Sequence, residues 1–137
     1  MVDLKALAAK QRAKITEVVS EDVDIMFGGE KVTLTVERVH PDIWDALILA
    51  NPRRRGSESD EEAGYNTKGV SLAYPRLLNG GEAMTKDEIA ELFSDLESPW
   101  RNAIGVVIWG VNMNHALQEM RSAGKARAGR KSPSPAN

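Results

Sequence analysis

The sequence predicts an α+β fold that is mainly α-helical: an N-terminal helix and a β-hairpin, followed by a small helical domain and a disordered basic C-terminal tail. Three observations carry this expectation. Apolar residues alternate with polar ones on both sides of Gly28-Gly29, the period of half-buried strands. From Pro41 onward they recur instead at spacings of three and four, the period of helices with one buried face. Beyond Met120 the chain becomes small, basic and rich in Pro and Ser, too poor in apolar side chains to order itself.

Taken in order, residues 1–19 are expected to form a helix. Leu4, Leu7, Ala8, Ile15, Val18 and Val19 fall near one stripe of an Ala- and Lys-rich segment. Gln11 interrupts that stripe, so the helix is expected to dock loosely or to order on meeting a partner. Residues 21–38 are expected to be a hairpin, with Val23, Ile25 and Phe27 on one face and Asp22, Asp24 and Met26 on the other. A turn at Gly29-Glu30 would set Phe27 against Val32, Ile25 against Leu34 and Val23 against Val36. An isolated hairpin is marginal in water, so its apolar face must rest on the helices that follow.

Pro41 suits a first helical position and predicts a helix over about 41–50, with Ile43, Trp44, Leu47 and Ile48 inside and Asn51-Pro52 as the stop. Arg53 to Lys68 is polar and predicts an irregular loop. Apolar spacing resumes at Val70, but Tyr74-Pro75 disfavours a continuous helix; an extended lead-in and a short helix over about 75–79 are expected, ended by Gly80-Gly81. Thr85-Lys86-Asp87-Glu88 has the form of a capping box and opens a helix over about 86–97, with Ile89, Leu92, Phe93 and Leu96 on one face. Ser98-Pro99 reads as N-cap and first residue of a helix over about 99–120, whose stripe is Trp100, Ala103, Ile104, Val107, Ile108 and Val111. Residues 103–111 also suit a buried strand; the start signal and the regular spacing favour helix. The organisation expected is a mobile N-terminal helix over 1–19, one domain over 20–120 and a tail over 121–137, since 137 residues suit a single core.

Composition then narrows the function. Hydrophobic residues make up 42% of the chain but aromatic ones only 5%, predicting an aliphatic core around three tryptophans, at least two of them buried. The absence of cysteine excludes disulfides, thiolate metal sites and a cysteine nucleophile, and fits a reducing cytosol. No signal-like apolar stretch stands at the N-terminus, and Ala103 to Val111 is too short to span a bilayer; a soluble cytoplasmic protein with no membrane partner is expected. Residues 121–137 carry five cations and no acid, so removing them from the whole-chain charge of −2 leaves −7 on the rest. A nucleic-acid-binding domain would normally spread positive charge across a folded face, and an acidic body argues against one.

Side chains with catalytic potential are few. His40 and His115 lie in different elements with no serine or aspartate pattern beside them; the first reads as leading into the Pro41 helix, the second as a polar position near a helix end. Asp22, Asp24 and the run from Glu58 to Glu62 lack the spacing of a calcium loop and read as solvated surface. Gly28-Gly29 and Gly80-Gly81 lack the context of a phosphate loop and read as turns. No catalytic residue, metal site or cofactor is therefore expected. Partner contact is assigned to Trp109, which points away from Trp100 on the last helix, and to Arg53, Arg54, Arg55, Lys125, Arg127 and Arg130. The three arginines could equally pair with the acidic run that follows them.

From Pro41 to about Asn114 the chain resembles the tail assembly chaperones of long-tailed, siphovirus-type bacteriophages. The resembling features are Pro41-Asp42-Ile43-Trp44-Asp45-Ala46-Leu47 with Asn51-Pro52, then Gly64-Tyr65-Asn66, then Tyr74-Pro75-Arg76-Leu77-Leu78. They continue with a Thr-capped acidic helix ending in Leu92-Phe93, then Trp100, then Val111-Asn112. Arg53-Arg54-Arg55 stands after Asn51-Pro52 where that family more usually has a histidine-proline-proline-like turn. The resemblance implies a non-enzymatic factor of the host cell cytoplasm that keeps tape-measure protein soluble and helps tail-tube subunits polymerise around it without remaining in the finished particle; a long client with apolar stripes could be covered by several copies, so a homo-oligomer on the client is expected. The resemblance also implies a longer product made by frameshifting near the C-terminal end. Two other readings use the same build: a structural virion component, such as a head-to-tail joining or tail-terminating protein, and a nucleic-acid-associated adaptor acting through Arg53 to Arg55 and the tail.

Overall fold

The computed structural model describes residues 2–114. The expected tail over 121–137, the continuation of the last helix over 115–120, and with them His115, Lys125, Arg127 and Arg130, lie outside the described residues.

The fold is α+β, as the sequence predicts. Helix α1 spans Leu4–Thr16 and leads into strands β1 (Ser20–Phe27) and β2 (Glu30–Glu37). Helices α2 (Pro41–Ala50), α3 (Glu58–Ala63) and α4 (Thr67–Ala73) follow, then strands β3 (Leu77–Asn79) and β4 (Glu82–Ala83). Helices α5 (Lys86–Asp95) and α6 (Ser98–Trp109) come next, and a π-helical turn over Gly110–Asn114 closes the described chain. The strands form one antiparallel sheet in the order β1-β2-β3-β4, and α6 lies against the β1–β2 face.

The hairpin register differs by two residues from the expectation. Val23 faces Leu34, Ile25 faces Val32 and Phe27 faces Glu30. The turn sits one residue earlier than expected: Gly28 (φ 61°) and Gly29 (φ 77°) are its two central residues, and a pair of glycines takes the type I′ turn, with positive φ at both positions, without strain. A slip of two leaves each face intact, so Val23, Ile25, Leu34 and Val36 are still the buried set. On the opposite face Thr35 Oγ1 donates to Asp22 Oδ1 (2.8 Å) and Thr33 Oγ1 donates to Asp24 Oδ1 (2.6 Å), a solvated polar ladder.

Two segments depart further. The polar stretch 53–68 is not an irregular loop but holds α3 and the start of α4. Ser57 Oγ accepts from Asp60 N, Glu58, Asp60 and Glu61 put negative charge on the first turn, and Gly64 ends the helix in the left-handed region (φ 88°). The helix expected over 75–79 is instead strand β3, preceded by helix rather than by extended chain. Asn66 Oδ1 caps α4 by accepting from Gly69 N, Tyr74 before proline ends it in extended conformation, and Leu77 and Leu78 then pair with Val36 and Thr35 of β2. Gly80 (φ 62°) and Gly81 (φ 85°) turn the β3–β4 hairpin as Gly28-Gly29 turn the first.

The remaining helices lie near their expected positions, although α1 covers Leu4–Thr16 where 1–19 is expected. Residues 103–111 are helical, with α6 beginning at Ser98 after Glu97, one residue before the expected N-cap arrangement. The capping box of α5 is complete, Thr85 Oγ1 accepting from Glu88 N and Glu88 Oε1 from Thr85 N. The core joins the sheet residues to Val70, Leu77, Ile89, Phe93, Leu96, Ile104, Ile108 and Val111. Each large aliphatic side chain fully buried there contributes about 1.5–3 kcal/mol of hydrophobic stabilisation. The aromatic part of the core differs from expectation: Trp44 is buried, Trp100 and Trp109 are only half-buried, and Tyr65 and Tyr74 take the interior places. Trp44 and Tyr65 meet edge to face at 5.4 Å between ring centres. Expected inside α2, Ile43 is exposed, because Trp44, Leu47 and Ile48 alone face the core.

Candidate functional site

Two surfaces stand out from the packed body among the described residues. The first is α1, no residue of which is buried. Asp3 Oδ1 accepts from Lys5 N (3.0 Å) and Ala6 N (3.3 Å) at its start. At its end the Arg38 guanidinium donates to Lys14 O (2.7 Å) and Glu17 O (3.2 Å), a cation on the carbonyls of a helix C-terminus. Asp3 thus caps the helix's own first turn and Arg38 ties its last turn to the body, while Leu4 (75% exposed) and Leu7 (45% exposed) stay open to solvent.

The second is a cleft of about 540 Å³ between α3–α4 and α6, floored by Phe93 of α5. Its α6 wall is Ser98, Arg101, Asn102, Gly105, Val106 and Trp109, positions that recur at helical spacing. They form a second stripe, two residues out of step with the buried stripe from Trp100 to Val111. That wall is about 16 Å long at 1.5 Å per residue. Facing it are Ser59, Glu62 and Ala63 of α3, then Tyr65, then Thr67, Lys68 and Ser71 of α4. Val106 is 68% exposed although apolar.

Beneath the opposite wall sits a buried carboxylate. Asp60 is fully buried and accepts five hydrogen bonds: from Arg54 N (2.7 Å), Nε (2.9 Å) and Nη2 (3.0 Å), and from Thr67 N and Oγ1 (3.1 Å each). The Arg54 guanidinium, with these amides and the hydroxyl, holds the Asp60 carboxyl well below the usual carboxylate range against the opposing effect of burial. One acidic side chain thereby fixes the 54–60 bend and the start of α4, and so the position of the wall.

At the far end of the core, Asn112 in the π-turn is a second polar hub. Its Nδ2 donates to Tyr74 Oη (2.9 Å) and Ile108 O (2.9 Å), and its Oδ1 accepts from Val39 N (3.2 Å). Tyr74 Oη in turn donates to Glu37 O, and burial pushes the Tyr74 hydroxyl up to about 12. These groups are all partnered and bind the last turn to the sheet.

Of the residues assigned to partner contact, Trp109 and Arg54 line the cleft, Trp109 half-buried at its end and Arg54 engaged with Asp60. Arg53 and Arg55 are exposed and outside it. His40 caps α2, its Nδ1 accepting from Asp42 N (3.1 Å). The sequence reading missed Lys68, Arg101, Phe93 and Val106; the signal available was the spacing of Asn102, Val106 and Trp109 at i, i+4, i+7. Among the described residues no group of three or more metal-ligating side chains converges, and no helix is long and apolar enough to cross a membrane. Comparison with protein-family models, curated proteins and solved structures finds no match.

Proposed function

We propose that this chain is a non-catalytic assembly factor of a long-tailed bacteriophage, which binds tape-measure protein and tail-tube subunits in the host cell cytoplasm and keeps them soluble until the tube forms. The supporting observation is α1: a helix of 13 residues with no buried side chain. Isolated helices of about this length are marginal in water, so such a helix gains most of its stability only when a partner covers its apolar stripe. A client that is long, helical and apolar along stripes offers that cover, and exposes before assembly the kind of surface that aggregates. Several copies along one client turn weak individual contacts into firm retention.

The test is co-expression with the long helical tape-measure candidate of the same genome, followed by size-exclusion chromatography with light scattering. A soluble complex with several copies of this chain, from a client insoluble alone, is expected. Failure to solubilise the client would reject the reading. Retention of the chain in finished particles would place it among structural virion components instead.

A further inference from the structure

We infer that the α3–α4/α6 cleft is the seat for an amphipathic helix of the client, about three turns long, that carries carboxylates beside its apolar residues. The inference rests on the assembly-factor reading for the identity of the client and on the cleft alone for the chemistry. A wall of about 16 Å matches three turns of helix, and a volume of about 540 Å³ lies in the range that encloses several large side chains. Phe93, Val106, Ala63 and Trp109 provide the apolar contact.

Charge selects the occupant. Arg54 is occupied by Asp60, which leaves Lys68 and Arg101 against the single exposed carboxylate of Glu62, a net excess of one cation; among the described residues Lys68 and Arg101 form no ion pair, and Arg101 Nε is buried without a hydrogen-bond partner. A carboxylate in the cleft would meet the Lys68 ammonium and the part of the Arg101 guanidinium that is not buried, and gain charge-assisted bonds there. The chain's own C-terminal segment is the wrong partner, since residues 121–137 bring five cations and no acid to a rim that already carries Lys68 and Arg101. A second copy's α1, with Lys5, Lys10, Arg12 and Lys14 and no acid between them, is disfavoured on the same ground.

The experiment uses the full 137-residue chain, isotopically labelled, and 18-residue Ala-based helical peptides with leucines at i, i+3, i+7 and i+10. Glutamates flank the leucines in one peptide, glutamines in a second and lysines in a third. The glutamate peptide is expected to shift the Trp109 indole and Val106 methyl signals and to bind about tenfold more tightly than the glutamine peptide at low ionic strength. The Lys68→Glu/Arg101→Glu chain should prefer the lysine peptide. Lys68 is exposed, so Lys68→Glu alone, which leaves the core untouched, should at least remove the preference for glutamate. Equal binding of all three peptides, no binding, or shifts confined to α1 would overturn the inference. So would movement of the Trp109 and Val106 signals, without peptide, on changing Lys125, Arg127 and Arg130 to glutamine, or on raising the chain concentration, because the cleft would then be filled by this chain or by a second copy. Co-expression separates the two proposals. Rescue of the client by the wild-type chain and equally by the Lys68→Glu/Arg101→Glu chain sinks the cleft inference and leaves the chaperone reading standing.

Discussion

Replacing Asp60 by Asn tests the bend that carries one wall of the cleft. Oδ2 accepts from Arg54 N and Nε, and Oδ1 from Arg54 Nη2, Thr67 N and Thr67 Oγ1. An amide of the same shape keeps one acceptor and turns the other into a donor facing N–H groups that lose their partner. Each buried donor so orphaned costs about 1–3 kcal/mol. The Arg54 side chain is 46% exposed and recovers hydration, which keeps the loss at the lower end of the roughly 3–5 kcal/mol of a broken buried pair. The expected loss at neutral pH is about 3 kcal/mol, or a Tm lowered by about 10 °C in a chain of this size. Arg54→Ala should cost a comparable amount, about 3 kcal/mol, because it leaves a fully buried carboxylate without its cation, served only by the backbone amides and Thr67 Oγ1. The effect also has a pH signature. The folded carboxyl lies below its unfolded value near about 3.9, so ionised Asp60 stabilises the fold above that pH and the gain drains away as pH falls toward the folded value. Urea unfolding of wild type and Asp60→Asn should therefore give a constant gap from about pH 7 to 5 that narrows below about pH 4. A gap under about 1 kcal/mol, or one indifferent to acid, would refute the argument that this carboxylate organises the bend.

Two helical glycines should respond with opposite sign. A Cβ on Gly105 meets only Ser71 Oγ at 3.8 Å, so Gly105→Ala should stabilise by about 0.5–1 kcal/mol; a Cβ on Gly69 falls 2.2 Å from Asn51 Oδ1, in a side chain held by its own bond to Leu47 O, so Gly69→Ala should destabilise despite the gain in helix propensity. Denaturant midpoints decide both. Burial pushes the Tyr65 and Tyr74 hydroxyls up to about 12, above the unfolded value near about 10, so the stabilisation from keeping them protonated is complete below about pH 10 and lost as pH rises through about 12. Tyrosinate absorbance should then rise together with unfolding rather than before it. Thr85→Ala breaks the capping box of α5 and should cost about 1 kcal/mol by thermal unfolding, with Thr85→Ser recovering most of it.

The hairpin and the helices α2, α5 and α6 were legible because pattern and punctuation agreed: alternation around Gly28-Gly29, Pro41 at a first turn, the Thr85 box, Ser98-Pro99. The errors fell where one signal was given the wrong scope. Gly80-Gly81 is the same pair of positive-φ residues as Gly28-Gly29 and makes the same two-residue turn, but the strands beside it are three and two residues long, too short to display a period. Tyr74-Pro75 is a break in both readings, yet a proline ends the helix before it as readily as it forbids one across it. In 53–68 the polarity concealed α3, although Ser57 three residues before Asp60 and Gly64 at its end are a start and a stop. The burial of Asp60 has no local signature at all, since it depends on Arg54 and Thr67 closing over it from either side.

The cleft shows where such reading stops for a physical reason. Both stripes of α6 are present in the sequence with identical spacing, and the richer one, from Trp100 to Val111, is the one that packs on the core. The other, with Ser98, Arg101, Asn102 and Gly105 beside Val106 and Trp109, has the mixed composition of a solvent face. It becomes a wall only because α4 packs against α6 while the Asp60-fixed bend sets α3 opposite, and that arrangement rests on pairings from one end of the domain to the other. An exposed valine alone on a surface is ordinary; one that shares a cleft with a half-buried tryptophan, a phenylalanine floor and an unpartnered buried guanidinium nitrogen is not. The cations weigh more than the apolar contacts in this respect, because an apolar face can rest against water at small cost, whereas Lys68 and Arg101 without an ion pair would gain charge-assisted bonds from a ligand that brings carboxylates.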